Sequence, residues 1–233
     1  MGADALMCVC YDTRMKLICT IFFLFGASVT SVTAFTVYQT EVTKPYEIIS
    51  LQQDLEKKQA HIGQLENFPI MYAVTVVATT TFTTQLSQRY QGSVAPLSLA
   101  LMLVREDDTG GGVSEVMRTH PEVTDWDIRK DAMYGMSFLD SAPITSELRP
   151  GTYRIEVSTP DNLGRYMLTL GTTEEKMGYF EALAHVRTVQ QGFGLSIGKM
   201  LGSSYVYYPL GIILLLFIMQ RTWRFRKVIA HVD

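Results

Sequence analysis

The sequence predicts an all-β protein, a jelly-roll-like antiparallel β-sandwich flanked by N- and C-terminal transmembrane helices. Three observations carry this. Of 233 residues, 47% are hydrophobic and only 18% charged, against about 25% charged in ordinary soluble domains, and the mean hydropathy is +0.12. The apolar excess sits in two uncharged windows near the chain ends, residues 17–40 and 200–220. Between them, β-branched and aromatic residues alternate with period two and are separated by turn-forming clusters. The length suits about one domain with appendages. The 20 Lys and Arg against 23 Asp and Glu, net −3, leave no positive excess for nucleic acid.

Taken in order, residues 1–16 form a short cytoplasmic N-terminus and residues 17–38 the first transmembrane helix, long enough at about 20 apolar residues to span a bilayer. A competing reading starts at Met15: one Lys, an apolar run and the small residues Ser31-Val-Thr-Ala34 resemble a signal peptide cut after Ala34. Residues 39–66 are expected to be a linker with a short amphipathic helix. Ile48, Leu51, Leu55, Ile62 and Leu65 fit one helical stripe there, read as a helix or a helix followed by a strand packed on its own domain, and a dimerising stalk through residues 48–65 is the alternative.

Residues 67–172 carry the strand signals. Residues 72–86 are rich in strand formers, Leu97, Leu99, Leu101 and Leu103 alternate, and Thr109-Gly-Gly-Gly112 opens a polar stretch read as a long loop. Tyr153, Ile155 and Val157 alternate before the turn residues Thr159-Pro-Asp-Asn162, and Tyr166, Leu168 and Leu170 after them, which predicts a hairpin. Residues 173–200 form an amphipathic juxtamembrane helix with Tyr179, Phe180, Leu183, Val186 and Val189 at helical spacing, lying on a membrane surface or returning to the sandwich. Residues 201–220 are the second transmembrane helix, with Tyr205, Tyr207 and Tyr208 at one end and Trp223 at the other, and residues 221–233 a basic tail.

Arg14 and Lys16 before the first window, and Arg221, Arg224, Arg226 and Lys227 after the second, place both termini in the cytoplasm and the middle outside it. Charge is partitioned accordingly: zero over residues 1–38, +3 over residues 200–233, leaving −6 between them. Cys8, Cys10 and Cys19 all precede the external domain, so that domain folds without disulfides; Cys8-Val-Cys10 lacks the spacing of a metal pair and reads as a juxtamembrane or acylated pair.

The run His61-Ile-Gly-Gln-Leu-Glu66, the strand segment at 72–86, Pro96-Leu-Ser-Leu-Ala-Leu101, Leu148-Arg-Pro-Gly-Thr-Tyr-Arg-Ile-Glu-Val157 and Gly164-Arg-Tyr-Met-Leu-Thr-Leu-Gly171 together resemble the bacterial pre-peptidase C-terminal domain. The resemblance covers residues 62–171. It implies a jelly-roll-like accessory module, here in a membrane-tethered form of unknown function, with no catalytic residues to transfer.

The chemistry-bearing residues support no enzyme. His61, His120, His185 and His231 are scattered, Gly194-Leu-Ser-Ile-Gly198 has no strand–turn–helix context that would make it a nucleophile elbow, and Gly110-Gly-Gly112 lacks the Gly-Lys-Ser/Thr ending of a phosphate loop. Asp107, Asp108, Asp125 and Asp127 are weak calcium candidates without EF-hand spacing. Trp223, Arg221, Arg224, Arg226 and Lys227 read as a membrane anchor against anionic lipid. The expectation is a non-enzymatic, cofactor-free accessory or binding protein, in contact with membrane lipids and a subunit of an integral membrane complex, with no nucleic acid. An envelope or secretory-pathway cargo receptor and a membrane-bound hydrolase are the alternatives.

Overall fold

The computed structural model describes residues 32–229 apart from 43, 52–53 and 108–110. Fourteen strands build three sheets among the described residues. The inner sheet has the order β2 (Thr36–Thr40), β4 (Gln59–Glu66), β13 (Leu163–Leu170), β6 (Thr80–Arg89), β10 (Met136–Asp140), β9 (Asp127–Asp131), with β11 (Ile144–Leu148) also on β6. The outer sheet runs β3 (Ile48–Ser50), β5 (Ile70–Val76), β12 (Gly151–Ser158), β7 (Ala100–Glu106), β8 (Val113–Thr119). A small ribbon pairs β1 (Val32–Ala34) with β14 (Glu175–Met177). Two helices follow, α1 (Tyr179–Gly192) and α2 (Ser204–Ile229).

The fold is mostly β and sandwich-like, as its composition predicts, but the sheets are mixed and not purely antiparallel. β2 pairs parallel to β4, and β3 parallel to β5. Between β2 and β4 the chain visits the outer sheet, and between β3 and β5 the inner one, so each returns to its sheet running in the same direction. The expected 159–162 hairpin is likewise an arch between layers. β12 pairs with β5 and β7, whereas β13 pairs with β4 and β6. Alternation identifies which side chains face the core; it does not say whether successive strands share a sheet. The polar stretch after Gly112 forms β8 and β9, edge strands whose exposure hid their periodicity.

The two sheets enclose the main core. Tyr72, Leu101, Leu103, Tyr153 and Ile155 of the outer sheet meet Leu65, Phe82, Leu86, Tyr166 and Leu168 of the inner one. Phe82 is completely buried there. Phe82→Ala is expected to cost about 3–5 kcal/mol in chemical denaturation of the full chain in detergent, while Ala at the exposed Val77 shifts stability by less than about 0.5 kcal/mol.

The linker helix expected in residues 39–66 is replaced by strand. In β4 both faces are buried: Ala60 and Ile62 face α1, while His61 and Leu65 face the sandwich core. Burial on both faces erases the period of two, and the remaining apolar spacing imitates a helical stripe. Leu51, Leu55, Ile62 and Leu65 are buried in their own domain, so they cannot form the seam of a stalk. Gly63, which would interrupt a helix, is required by the core instead: a Cβ there would lie 2.6 Å from the Tyr166 ring.

At the N-terminal side, residues 32–34 and 36–40 are strands and not the end of a helix spanning 17–38. Thr36, Val37, Tyr38 and Thr40 are strand formers, and Val37 is buried in the cluster with α1 residues Val186 and Val189. Residues 17–31, together with Cys8, Cys10, Cys19, Arg14 and Lys16, lie outside the described residues. Only the C-terminal window is seen as a helix. The described structure therefore supplies no N-terminal span to support a topology with both termini cytoplasmic.

Candidate functional site

Residues 173–200, expected as one helix, divide into β14, α1 and a 3-10 turn at Ile197–Gly202. Helix α1 returns to the sandwich. Ala182, Val186 and Val189 recur at i, i+4 and i+7 and are fully buried, the last two packing with Val37, Ala60, Ile62 and Met167. The 3-10 turn leads into α2, where residues Ser204–Thr222 are long and apolar enough to cross a membrane by length and composition, and none of the window is buried against the sandwich. Helix α2 continues to Ile229, so Arg221, Trp223, Arg224, Arg226 and Lys227 extend the helix and do not form a separate tail. Residues 230–233 lie outside the description.

The foot of α2 is seated on the turn between β9 and β10. Ser203 is completely buried; its Oγ donates to the Met133 carbonyl at 2.5 Å, and the Ser204 amide donates to the Ala132 carbonyl at 2.8 Å. Gln190 of α1 donates from Nε2 to the carbonyls of Tyr134 (2.8 Å) and Lys199 (3.2 Å), tying helix, turn and 3-10 segment together. The Tyr179 hydroxyl donates to the Tyr205 carbonyl at 2.5 Å. Gly135 has φ +63, and a Cβ on it would lie 2.6 Å from the Gly202 carbonyl carbon and oxygen, so two backbones meet where no side chain fits.

The turn that receives α2 is itself braced. Asp131 Oδ1 accepts from the amides of Met133 and Tyr134, and its Oδ2 pairs with Arg129. Arg129 Nε also donates to Asp140 at 2.5 Å, with its guanidinium 5.0 Å from the Phe138 ring centroid. Tyr134 makes edge contacts with Phe35 and Phe138, and Phe138 with Phe193. Burial first, and then the negative charge of Asp131, push the Tyr134 hydroxyl well above its ordinary pKa, so it stays neutral. The arrangement is a joint: it seats the start of α2 on the β9–β10 turn.

Among the described residues no three His, Cys, Asp or Glu side chains converge on a metal position. Asp125 Oδ2 accepts from the Glu122 amide in a 3-10 capping box, Asp127 lies on β9 opposite Asp140, Asp107 adjoins Gly112 at the β7–β8 turn, and Asp108 is outside the described residues. His61 stacks on Tyr38 in the core, His120 meets Ser98, and His185 is on α1; His231 is not described. An open depression of about 220 Å³ over β6 and β13 is lined mainly by Thr83, Thr84, Gln85 and Thr169, and its one charged side chain, Lys58, is paired with Glu174 at 2.7 Å. It lacks the two titratable groups that acid–base hydrolysis requires.

Fold and joint together define the class: a sandwich-like β-domain carrying an apolar helical stem. No family model matches the chain, and no curated protein matches its sequence. The chain is a structural neighbour of the pre-peptidase C-terminal domain of a collagenase from Bacillus anthracis, at 14% identity and a TM-score of 0.35, over 56% of this chain and 98% of that one. It is also similar to PliG from Aeromonas hydrophila, a periplasmic inhibitor of g-type lysozyme, at 11% identity and a TM-score of 0.32, over 59% of this chain and 98% of that one. The mitogen of Yersinia pseudotuberculosis is similar at 11% identity and a TM-score of 0.34, over 52% of this chain and 91% of that one.

Proposed function

We propose that the chain is a membrane-anchored, non-enzymatic accessory protein, in which α2 crosses the bilayer and the sandwich contacts a partner protein of the same membrane assembly. The observation that carries this reading is the seated foot of α2: an apolar helix that its own domain leaves uncovered, yet seats at its start through Ser203, Ser204 and Gln190. A stem that served only as a tether would have no use for such a seat. At about 1.5 Å per residue, the 19-residue stretch Ser204–Thr222 extends roughly 28 Å, close to the hydrocarbon thickness. The cations that follow the apolar window support an orientation with its C-terminal end in the cytoplasm and the sandwich outside.

The face offered to a partner is the side where both sheets end, β8 and β9 with the 3-10 turn Val123–Asp125 between them. Val113, Val116, Val123 and Ile128 are exposed there. A bulge at Leu103/Val104 leaves Val116 without an opposite residue, which blunts strand-to-strand addition and favours contact through side chains. A photoreactive residue at 116 or 128, installed in cells at native expression, is expected to crosslink a second polypeptide, while one at the more exposed Val77 does not. Absence of adducts at both positions, with extraction of the chain by alkaline carbonate, would remove the reading.

A further inference from the structure

Three large apolar side chains ring the foot of α2 without belonging to the helix. Phe180 is 83% exposed, Ile197 71% and Leu201 61%. Phe180 falls off the buried face of α1, and its ring meets that of Tyr179, the residue hydrogen-bonded to the Tyr205 carbonyl and in ring contact with Tyr205. Ile197 and Leu201 belong to the 3-10 turn that ends immediately before α2 begins. Tyr207 and Tyr208, their rings 4.4 Å apart, are exposed on the first turns of α2. The exposed Lys199 stands between Ile197 and Leu201.

We propose that Phe180, Ile197 and Leu201 form a collar that inserts into the interfacial layer of the bilayer, so that the sandwich rests on the membrane instead of standing off it. The inference rests on the membrane-crossing reading of α2 and adds a second, peripheral contact to it. Its occupant follows from continuity. A helix entering hydrocarbon at Ser204 keeps Leu201 within roughly 6 Å of that point at the 3-10 rise of about 2 Å per residue, inside a headgroup layer about 5–8 Å thick. Ile197 lies at most roughly 14 Å away by the same rise, and Phe180 is held near the same point through Tyr179, whose hydroxyl donates to the Tyr205 carbonyl. The seated joint holds the backbone that carries Ile197 and Leu201 beside the start of α2. Large apolar groups beside a Lys and a pair of Tyr rings suit that layer, where apolar bodies enter the acyl boundary and polar tips stay wet.

The test uses the full chain, with Cys8, Cys10 and Cys19 changed to Ser, reconstituted in phosphatidylcholine–phosphatidylglycerol vesicles. Single cysteines at Phe180, Ile197, Leu201, Val77 and Leu214 carry an environment-sensitive fluorophore, and lipids carry a nitroxide near the headgroup or deep in the chain. The collar positions are expected to show blue-shifted emission and at least about threefold more shallow-nitroxide quenching than Val77, with Leu214 quenched by the deep probe. Collar positions that behave like Val77 while Leu214 is quenched would overturn the collar and leave the span intact. A blue shift without lipid quenching would overturn it in favour of a protein neighbour or a second copy. Failure of quenching at Leu214 would overturn the span and the collar together.

Discussion

Gly135→Val is expected to unseat α2 from the sandwich and to lower stability by about 3 kcal/mol, since a strained backbone residue and an overpacked contact each cost about 1–3 kcal/mol. Two costs coincide at one atom. Gly135 has φ +63, a region that a β-branched residue avoids. The Cβ it gains would lie 2.6 Å from the carbonyl of Gly202, which is backbone and has no rotamer to yield. Separation at this point exposes Ser203 and the carbonyls of Ala132 and Met133, and loosens Lys199, whose carbonyl is held by Gln190. Denaturant unfolding in detergent measures the stability, and limited trypsin cleavage after Lys199 reports the joint. Gly135→Asn, tolerant of the left-handed conformation but carrying the same Cβ, should fall between wild type and Val. Wild-type stability and cleavage in the Val variant would show that the Gly135–Gly202 approach does not hold the stem.

Acid is expected to destabilise the domain through His61. The imidazole is 5% exposed, stacked on Tyr38 with ring centroids 5.0 Å apart, and its one polar contact is Gln59 Oε1 at 3.3 Å. Among the described residues no carboxylate compensates a charge there, and burial lowers its pKa to about 4. The unfolded chain takes up the proton near pH 6.5 and the folded one only near 4, so below pH 6.5 the unfolded state binds more protons and is favoured. The loss accumulates between pH 6.5 and 4 and reaches about 3 kcal/mol. Above pH 6.5 the residue contributes no slope. Unfolding free energies of wild type and His61→Gln across this range check the effect. Parallel curves would show that His61 is not protonated on unfolding.

These residues also show what is legible along a chain. His61 and Gly63 were visible as residues but belonged, by spacing, to a helix, because a strand covered by the outer sheet on one face and by α1 on the other displays no alternation. Tyr153, Ile155, Val157, Tyr166, Leu168 and Leu170 were legible as inward-facing, and are buried; their assignment to a hairpin failed because facing residues in two layers alternate as they would in one. Tyr72 and Tyr166 place their hydroxyls 2.9 Å apart across the sandwich, a pairing 94 residues apart in sequence that no local pattern announces. Phe180 entered the amphipathic stripe by its number and left it by its orientation, because the buried face of α1 is centred on Ala182, Val186 and Val189. The joint itself had no motif: Ser203, Gly135, Gly202 and Gln190 are common residue types, and their role exists only once the β9–β10 turn reaches the end of α1.

The amino-acid order by itself determined the β-rich centre and the apolar C-terminal helix with its basic end. Each follows from composition or from periodicity within a short window. Tertiary structure alone decided that the sheets are mixed, that the described residues among 32–66 belong to strands and loops of the domain, and that the start of α2 is seated on the β9–β10 turn. Those features depend on which surfaces cover one another, and burial on both faces, arches between layers and contact of two backbones at glycine leave no periodic trace in the residues that make them.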